Sequence, residues 1–381
     1  MNMHYYTLTP QDAWFFRDGR PYNHGESNQA DALSQFPPSP RTITGALRAA
    51  LARANGWNGT GRWIPELNTA FGKDADNLAK LQFCAPFLIR ENNPLWSAPL
   101  HFLGKREKKS DKWTPAAFLR PAATRTLTDQ GPIFLPEKTH TDLDGLKTAE
   151  SAWLTTTGLA TVLNGELPAS TEIFFSGDLW ERENRVGLKR DAITKQVGEG
   201  DLYRPGFIRL ARHVALGVGI AGVPDGMKAP ETLFPFGGEG RLAICKNAPD
   251  FPNNAPFPPA PARETFSTNA NATTDDATRK VEFAIIALTP LTALKNLAET
   301  LGSGAEIVSA CVGKPVKIGG WDSLKNEPLP LEPFHPAGSV WFCRASNDAF
   351  DAIHSKHGTW LGEPRHTAHG LGQILIARWP H

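Results

Sequence analysis

The chain has 381 residues, a length for which two domains are the default expectation. Apolar residues make up 40% of it, including 11 Trp, which excludes a disordered chain. Its net charge is +1 and its pI is about 7.8, which excludes a uniformly basic nucleic-acid binder. Any contact with a nucleic acid must therefore be local.

No export or membrane signal is visible in the sequence. The amino terminus has neither a basic start nor an apolar core, and the longest apolar run, around 214–223, is too short to cross a bilayer. We therefore expect a cytoplasmic protein without membrane contact. No C-x-x-C pair occurs among Cys84, Cys245, Cys311 and Cys343, which favours reduced structural thiols and argues against zinc. No metal and no cofactor are indicated.

The stretch 12–53 joins a strand, a charged loop and a helix. Aromatic residues between Tyr5 and Phe16 favour a bent first strand. Gly19 and Pro21 then favour a loop that leaves the sheet. We expect this loop to direct three charged side chains outward, namely Arg17, Asp18 and Arg20.

A helix is predicted from Pro40 to about Asn55, with Ser39 as its cap and Gly56 after its end. Its apolar side consists of Ile43, Leu47, Ala50, Leu51 and Ala54. Its opposite side consists of Arg41, Thr44, Gly45 and Arg48. Glycine permits close approach and a forked guanidinium matches a phosphate, so the two arginines are candidate phosphate contacts. A solvated face is the alternative.

The stretch 56–172 contains short strand patterns separated by Pro, Asn and Thr, and we interpret it as elaborations of the first domain. Strand-like arms around 194–200 then predict a long β-hairpin, with Gly198 and Gly200 at its tip. Basic residues follow both arms: Arg182, Arg185, Lys189, Arg190, Lys195, Arg204, Arg209 and Arg212. An ordinary hairpin with exposed charges is the alternative to a nucleic-acid contact.

Residues 217–222 match G-x-G-x-x-G, the fingerprint of dinucleotide-binding sites. They lie inside an alternating apolar pattern from Val214 to Ile220, and Pro224 and Gly226 prevent a following helix. We therefore reject a nucleotide cofactor there. A second glycine cluster, 236–241, is interpreted as a turn whose amides can also receive a phosphate.

Residues 247–280 are rich in Pro, Asn, Ala and Thr, a composition typical of a linker or mobile loop. Strand and helix patterns over 281–381 then follow the order β-α-β-β-α-β, that of the ferredoxin-like fold. The first of these helices is predicted to begin at Thr289-Pro290 and to end at Gly302.

Several segments together resemble RAMP-superfamily subunits of type III CRISPR effector complexes. They are WFFRDGRPY followed by FPPSPRTITGALRAAL, then RVGLKRDAITKQVGEGDLYRPGFIRL, FPFGGEGRLA and the closing HGLGQILIA. The narrower resemblance is to the third-numbered subunit of the type III-B (Cmr) complex, which holds the 5′ handle of the guide RNA.

Pattern and resemblance together imply an α+β protein with two ferredoxin-like (RRM-like, β-α-β-β-α-β) modules, loop insertions and a β-hairpin thumb. The expected domains are 1–246 with the thumb at about 181–212, a linker at 247–280 and a second module at 281–381. The resemblance implies a non-catalytic subunit that binds guide RNA and meets target RNA only indirectly. Its implied protein partners are the large polymerase-palm subunit and the backbone RAMP subunits. The candidate RNA contacts are Arg17, Asp18, Arg20, Arg41, Arg48, Lys189, Arg190, Lys195, Tyr203, Gly238, Arg241, His369, Gly370 and Gly372.

Two alternatives remain open. Some RAMP relatives cleave guide RNA as metal-free ribonucleases that use a histidine, and this chain has 11 histidines. No second acid or base can be paired with any of them from spacing. The H-x-x-H pairs that begin at His354 and His366 supply two metal ligands at most, so zinc is not expected. The other alternative is the equivalent handle-binding subunit of a type III-A complex.

Overall fold

The computed structural model describes residues 2–17, 31–32, 34–106, 113–129, 131–140, 144–188, 202–268, 280–292, 297–301, 304–322 and 325–380. The fold mixes helices with several antiparallel sheets. Its helices are α1 Pro40–Ala54, α2 Pro65–Phe71, α3 Thr156–Leu163, α4 Ser176–Leu179, α5 Leu297–Leu301, α6 Asn347–His354 and α7 Pro364–Thr367. Short 3-10 turns lie at Ser170–Glu172, Pro252–Asn254 and Arg263–Thr265.

The strands of the first half of the chain are β1 His4–Pro10, β2 Asp31–Ala32, β3 Gln82–Arg90, β4 Asn93–Ser97, β5 Phe102–Arg106, β6 Trp113–Pro121, β7 Thr126–Thr128, β8 Gly131–Ile133, β9 Pro136–Lys138, β10 Lys147–Thr148, β11 Ala152–Thr155 and β12 Ile173–Phe175. Those of the second half are β13 Trp180–Asn184, β14 Gly187–Leu188, β15 Leu202–Leu210, β16 Val214–Ala221, β17 Leu233–Pro235, β18 Leu242–Asn247, β19 Val281–Ala287, β20 Leu291–Thr292, β21 Glu306–Cys311, β22 Val316–Asp322, β23 Glu327–His335, β24 Val340–Ala345 and β25 Ile374–Ala377.

The chain folds into two compact units, each made of separate stretches. The first unit comprises Met1–Asn92, Ser176–Pro249 and Lys317–Glu332. The second comprises Asn93–Phe175, Asp250–Val316 and Pro333–His381. This division differs from the contiguous domains expected at 1–246 and 281–381. The stretch Asn93–Phe175, interpreted from the sequence as part of the first domain, packs instead with the carboxy-terminal strands.

In the first unit, neighbouring strands hydrogen-bond in the order β3-β16-β1-β18-β17, and every pair is antiparallel. Leu8 of β1 lies opposite Leu216 on one side and Cys245 on the other, and all three are buried. The alternating pattern of 214–221 is therefore a strand, as predicted. Within it, a Cβ atom on Gly217 would lie 2.3 Å from the Phe87 ring, so this glycine serves packing.

Helix α1 has the predicted bounds. Pro40 occupies its first turn, Asn55 follows its last residue, and Gly56 adopts a φ of +101°. Ile43, Leu47 and Leu51 of its predicted inner face are buried, and burial of each such side chain contributes about 1.5–3 kcal/mol. Ser39 occupies the N-cap position as predicted, but its hydroxyl makes no capping hydrogen bond.

The first strand is shorter than predicted. It ends at Pro10, and Trp14 forms an isolated antiparallel bridge with Ile208 of β15. Both backbone hydrogen bonds of this bridge are present, Trp14 N–H to Ile208 O at 2.9 Å and Ile208 N–H to Trp14 O at 2.7 Å. The aromatic run thus pairs with the hairpin and does not extend β1.

In the second unit, four antiparallel strands lie in the order β21-β24-β19-β25. One face of this sheet packs on α5 and α6 through a core that includes Phe283, Ile285, Leu301, Phe350 and Ile353. Ser346 caps α6 by accepting a hydrogen bond from Ala349 N–H at 3.4 Å. The helix predicted from Thr289 differs in the structure, since Leu291 and Thr292 form β20 and the described helix begins at Leu297.

The opposite face of that sheet is also covered. Phe342 of β24 is fully buried and lies edge-on to His101, whose ring stacks on Phe118 of β6 at 5.0 Å. Ser309 of β21 donates to the carbonyl of Phe134 at 2.7 Å. This face of the sheet therefore offers no open platform where these residues lie.

The described part of the predicted linker is packed. Phe251 and Phe266 are buried, and the carbonyl of Pro256 accepts a hydrogen bond from Trp96 Nε1 at 2.8 Å. Pro258 O and Pro261 O each lie 2.9 Å from a histidine Nε2. The carbonyls of these three prolines thus contact specific side chains of the second unit. Residues 269–279 of the predicted linker lie outside the described residues.

Candidate nucleic-acid interface at the base of the hairpin

The predicted arms of the hairpin pair in antiparallel register. Trp180–Asn184 lies opposite Leu210 to Gly206, and Gly187 lies opposite Tyr203. The side chain of Tyr203 and the predicted contacts Lys189, Arg190 and Lys195 lie outside the described residues. The described part of the hairpin is therefore its base.

An aromatic cluster joins the amino-terminal segment to this base. Trp14 contacts Phe236 edge-on at 5.1 Å and Phe16 at 5.7 Å, and its Nε1 donates to Leu242 O at 3.1 Å. Ala13, Phe15 and Phe207 form a second small core beside it. These buried contacts fix the position of the segment that contains Asp12.

The glycine turn 236–241 closes against the same segment. Gly237 has a φ of +82°, and a Cβ atom there would lie 2.5 Å from Phe15 O. Gly238 N–H donates to that carbonyl at 2.8 Å, so the amide predicted to contact RNA is already hydrogen-bonded. Phe236 N–H donates to Arg241 O at 2.7 Å, which closes the turn and places Arg241 next to the hairpin.

Five charged side chains meet at this point, and we call them the hairpin-base cluster: Asp12, Glu183, Arg185, Arg209 and Arg241. Asp12 Oδ1 accepts from Arg209 Nη2 at 2.9 Å. Asp12 Oδ2 accepts from Arg185 Nη2 at 2.8 Å and from Arg241 Nη1 at 3.1 Å. Glu183 accepts from Arg185 at 2.6 Å and from Arg209 Nε. Asp12 is thus the acceptor that all three arginines share.

Phe207 forms the floor of the cluster. The guanidinium carbon of Arg241 lies 4.2 Å from the centre of its ring, and that of Arg185 lies 4.9 Å from it. The ring is buried, whereas the arginine side chains are 22–38% exposed. Cation–π contact therefore holds the guanidinium groups while one side of them still faces solvent.

The cluster has more positive than negative charge. Three guanidinium groups and two carboxylates give it a formal charge of +1. Hydrogen bonds from Arg185 and then Arg209 lower the pKa of Asp12, and those from Arg209 and then Arg185 lower the pKa of Glu183. Both carboxylates are therefore ionised at neutral pH, and one positive charge remains uncompensated within the cluster.

The arginines of α1 have a different environment from the predicted one. Arg48 is 8% exposed, and its guanidinium donates to the carbonyls of Phe71, Gly72, Asp74 and Asn77 at 2.8–3.4 Å. Burial lowers its pKa to about 10, which leaves it charged at neutral pH. The prediction of a solvent-facing polar side is wrong for Arg48, because the loop after α2 wraps its guanidinium.

Arg41 and Thr44 of the same predicted face are also enclosed. The Arg41 side chain is 7% exposed, with Nη1 3.2 Å from Asp76 and Nη2 4.0 Å from Glu332. Thr44 is 1% exposed. Arg17 is exposed, and its backbone forms an isolated antiparallel bridge with Ser34. Asp18 and Arg20 lie outside the described residues.

The terminal glycine turn follows α7 and is tightly packed. Gly370 and Gly372 have φ values of +84° and +82°. Gly370 O accepts from Thr289 Oγ1 at 2.9 Å, Gly372 N–H donates to Pro290 O at 2.9 Å, and His369 is 4% exposed. The positive φ values and these packing contacts account for glycine at positions 370 and 372. RNA contact at this turn stays a prediction.

Sequence patterns did not single out Asp12, Glu183, Arg185 or Arg209 as contacts. Arg185 and Arg209 belong to the basic runs of the hairpin arms, which was a usable signal. Asp12 gave no such signal, since it is 197 positions from Arg209. Only tertiary structure brings it to the hairpin.

Two further features of the described residues concern membranes and metals. None of the helices in the described ranges is both long and apolar enough to span a bilayer. Within the same ranges, no group of three His, Cys, Asp or Glu side chains is arranged to hold a metal ion.

Comparison with solved structures finds chains of CRISPR effector complexes. A chain of a type III-B Cmr-beta complex bound to cognate target RNA has a TM-score of 0.47 and 15% identity, over 92% of this chain and 89% of that one. A chain of a Csm3–Csm4 subcomplex of the type III-A interference complex has a TM-score of 0.35 and 10% identity, over 89% and 92%.

No curated protein sequence matches the chain. The sequence profile described as "CRISPR-associated protein (Cas_Cmr3)" matches residues 6–379. This match includes β1 from Tyr6 onward, α1, the hairpin, the glycine turn 236–241 and the last strand. The chain belongs to the Cas_Cmr3 family of CRISPR-associated proteins.

Proposed function

We propose that this protein is the non-catalytic subunit of a type III-B (Cmr) effector complex that holds the 5′ repeat-derived handle of the guide RNA. Family membership over residues 6–379 supports the complex. The hairpin-base cluster is the observation that supports RNA contact, because it is exposed, positively charged and backed by an aromatic ring. A local cluster of this kind is what a chain of net charge +1 requires.

At the level of fold, the proposal is two ferredoxin-like modules. If the four strands of each module are numbered along the chain, both sheets have the order 2-3-1-4, namely β3-β16-β1-β18 and β21-β24-β19-β25. A helix follows the first strand in each, α1 and α5. The second module has α6 before its last strand, whereas the first has β17 and the glycine turn in that place.

This arrangement favours RNA binding on the hairpin. RRM-type modules stack bases on the open face of their central strands. In the second module that face is covered at Phe342 and Ser309 by residues of the 101–139 stretch. A guide RNA would therefore lie along the base of the hairpin and its predicted basic tip.

For protein partners, we propose the large polymerase-palm subunit and the backbone RAMP subunits, with target RNA reached only through the complex. Exposed apolar side chains support protein docking: Leu127 is 82% exposed, Val186 65% and Trp321 57%. Side chains of this kind suit an interface that becomes buried on assembly. Co-expression with the large subunit tests this, and failure to co-elute at moderate salt would contradict it.

Two of the described histidines, His101 and His357, are unsuited to acid–base catalysis, which supports a non-catalytic role. His357 Nδ1 accepts from Ile376 N–H at 3.0 Å, so its Nε2 donates to Pro258 O. Burial lowers the pKa of His357 and lowers that of His101 to about 3. These rings are neutral at physiological pH and committed to packing, whereas a general acid must be accessible and must titrate near the working pH.

The central experiment is purification of the assembled complex followed by sequencing of its bound RNA. We expect guide RNAs with a uniform 5′ repeat-derived end, and lower retention of that end when Arg209 and Arg241 are both changed to Gln. Incubation of the chain alone with repeat RNA in chelator should give no cleavage. Metal-independent cleavage that is lost in His369→Ala would favour the ribonuclease alternative. Co-purification with type III-A subunits would favour the other alternative.

A further inference from the structure

The central position of the hairpin-base cluster is occupied by a side chain of the protein itself. Among the described side chains, Asp12 alone contacts all three arginines, through both of its carboxylate oxygens. A phosphodiester also presents two charged oxygens, and forked guanidinium groups bind either group in the same way. The carboxylate of Asp12 therefore marks a position where an external phosphate would be bound.

We propose that Asp12 is an internal stand-in for a backbone phosphate, and that RNA binding at the hairpin exchanges this carboxylate for one phosphodiester. This inference rests on the proposed RNA-binding function and names the chemical group and the residue displaced. Exchange leaves the three arginines in place, because Glu183 still binds Arg185 and Arg209, and the Phe207 ring still contacts Arg185 and Arg241.

The two carboxylates of the cluster differ in the way this exchange requires. Glu183 is part of β13 and its side chain is 30% exposed, with Arg185 and Arg209 as partners. Asp12 lies between β1 and the Trp14 bridge, outside any strand, and its side chain is 44% exposed. Asp12 is thus the more exposed of the two carboxylates and can turn towards solvent by side-chain rotation, whereas the backbone of Glu183 is fixed in the hairpin ladder.

The arginines retain capacity for a new acceptor. Among described partners, neither Arg185 Nη1 nor Arg241 Nη2 makes a hydrogen bond. A phosphate has more acceptor positions than a carboxylate and carries its charge on oxygens that protrude further from the chain. The exchange therefore adds hydrogen bonds as well as replacing those of Asp12.

The stand-in makes a specific prediction for binding. Asp12 competes with the phosphate, so removal of its charge should strengthen RNA binding. If Asp12 only oriented the arginines, the same change would weaken RNA binding. We expect Asp12→Asn to bind single-stranded RNA about three- to tenfold more tightly than the parent, since three exposed ion pairs no longer have to be broken. Its salt slope should become steeper by less than one unit.

Matched variants separate this mechanism from general electrostatics. Asp225→Asn removes the same charge from an exposed loop of the same unit and should leave RNA affinity within about twofold of the parent. Glu183→Gln removes it from within the cluster, but should give less than half the gain of Asp12→Asn. In the Arg241→Gln background, Asp12→Asn should lose much of its effect, because one of the competing pairs is already absent.

The experiment uses the full-length chain and three probes: a handle-containing RNA, a scrambled RNA of equal length and poly-glutamate. Thermal unfolding in inorganic phosphate against chloride at matched ionic strength provides a readout without RNA, and Asp12→Asn should be stabilised more by phosphate than the parent. Unchanged or weaker RNA binding by Asp12→Asn would overturn the inference, as would an equal gain in Asp225→Asn. Poly-glutamate binding that matches RNA binding would also overturn it.

The outcomes also distinguish this inference from the proposed function. If Asp12→Asn strengthens binding of both RNAs equally and the parent shows no preference for the handle in the assembled complex, the stand-in is supported and handle recognition is wrong. If the complex retains the handle but Asp12→Asn has no effect in any assay, handle recognition is supported and the stand-in is wrong.

Discussion

Arg48 in α1 and Arg209 in the hairpin differ in the groups that receive their hydrogen bonds. Arg48 is enclosed by four backbone carbonyls, which neither titrate nor move without unfolding the loop around them. Arg209 is paired with two carboxylate side chains at an exposed site. Both arginines are charged, but their hydrogen-bond acceptors differ. The type of acceptor therefore indicates whether an arginine stabilises the fold or remains available to a ligand.

The physical reason is the free-energy cost of separating each arginine from its hydrogen-bond acceptors. When an arginine moves away from buried carbonyls, each carbonyl loses its hydrogen-bond donor. The folded state then bears the full desolvation cost of these unsatisfied acceptors. An exposed ion pair has a small net free energy, because water and salt replace the partner. Only the second kind of contact can be exchanged for an external anion at an accessible free-energy cost.

Arg48→Ala provides the largest test of this difference. It should lower the free energy of unfolding by about 2–4 kcal/mol, since four carbonyls lose a charged donor. Urea denaturation measures this. Arg53→Ala is the matched control, because Arg53 lies in the same helix and contacts the Trp57 ring at 5.5 Å; it should cost less than about 1 kcal/mol. If the Arg48 variant were as stable as the control, the structural assignment of Arg48 would be wrong.

Arg209→Gln and Arg241→Gln should affect RNA binding more than stability, the reverse of Arg48→Ala. Each should weaken binding of handle-containing RNA about tenfold, since a hydrogen bond between charged groups is worth about 1.5–3 kcal/mol, and the salt slope should become shallower by about 0.7 per lost phosphate contact. Fluorescence anisotropy over a salt series measures both. Arg48→Ala, assayed well below its melting temperature, should bind as the parent does. Equal RNA affinity in all three variants would remove the distinction between the two sites.

The environment of Arg41 is intermediate between those of Arg48 and Arg209. Its side chain is almost enclosed, but its acceptors are the carboxylates of Asp76 and Glu332. We expect Arg41→Ala to cost about 1 kcal/mol of stability and to leave RNA affinity unchanged, because enclosure prevents a phosphate from reaching the guanidinium. Asp76→Asn is the control for the ion pair and should account for part of the loss. A tenfold loss of RNA affinity in Arg41→Ala would restore it as a phosphate contact.

The smallest expected effect is a pH dependence confined to the hairpin-base cluster. Arginine contacts lower the folded-state pKa of Asp12, so the pair contributes stability above its ordinary pKa of 3.8 and loses it as pH falls through the lower folded value. A double-mutant cycle between Asp12 and Arg209 should give about 0.5 kcal/mol at pH 7 and at pH 5, and less near pH 3. The cost of Arg48→Ala should not change over pH 5–7, since carbonyls do not titrate. A coupling that is lost already at pH 5 would contradict the lowered pKa.

Features that depend on local chemistry can be read from the amino-acid sequence. Pro40 and the Asn55-Gly56 pair mark the ends of α1, and the spacing of Ile43, Leu47 and Leu51 identifies its buried side. The alternation from Val214 to Ile220 identifies β16 and excludes a dinucleotide site despite the matching glycines. These features depend on neighbours within one or two turns or strands, which the sequence displays directly.

The pairing of charged side chains depends on tertiary contacts between distant segments. Arg48 falls on the polar side of α1 by periodicity, yet the loop 71–77 covers it because four carbonyls there need a donor. Asp12 joins Arg209 across 197 positions, and the prolines before residue 268 pack where composition indicates a linker. Such contacts depend on how distant segments close on one another. The sequence of each segment specifies its own conformation but not the partner that satisfies its remaining hydrogen bonds and charges.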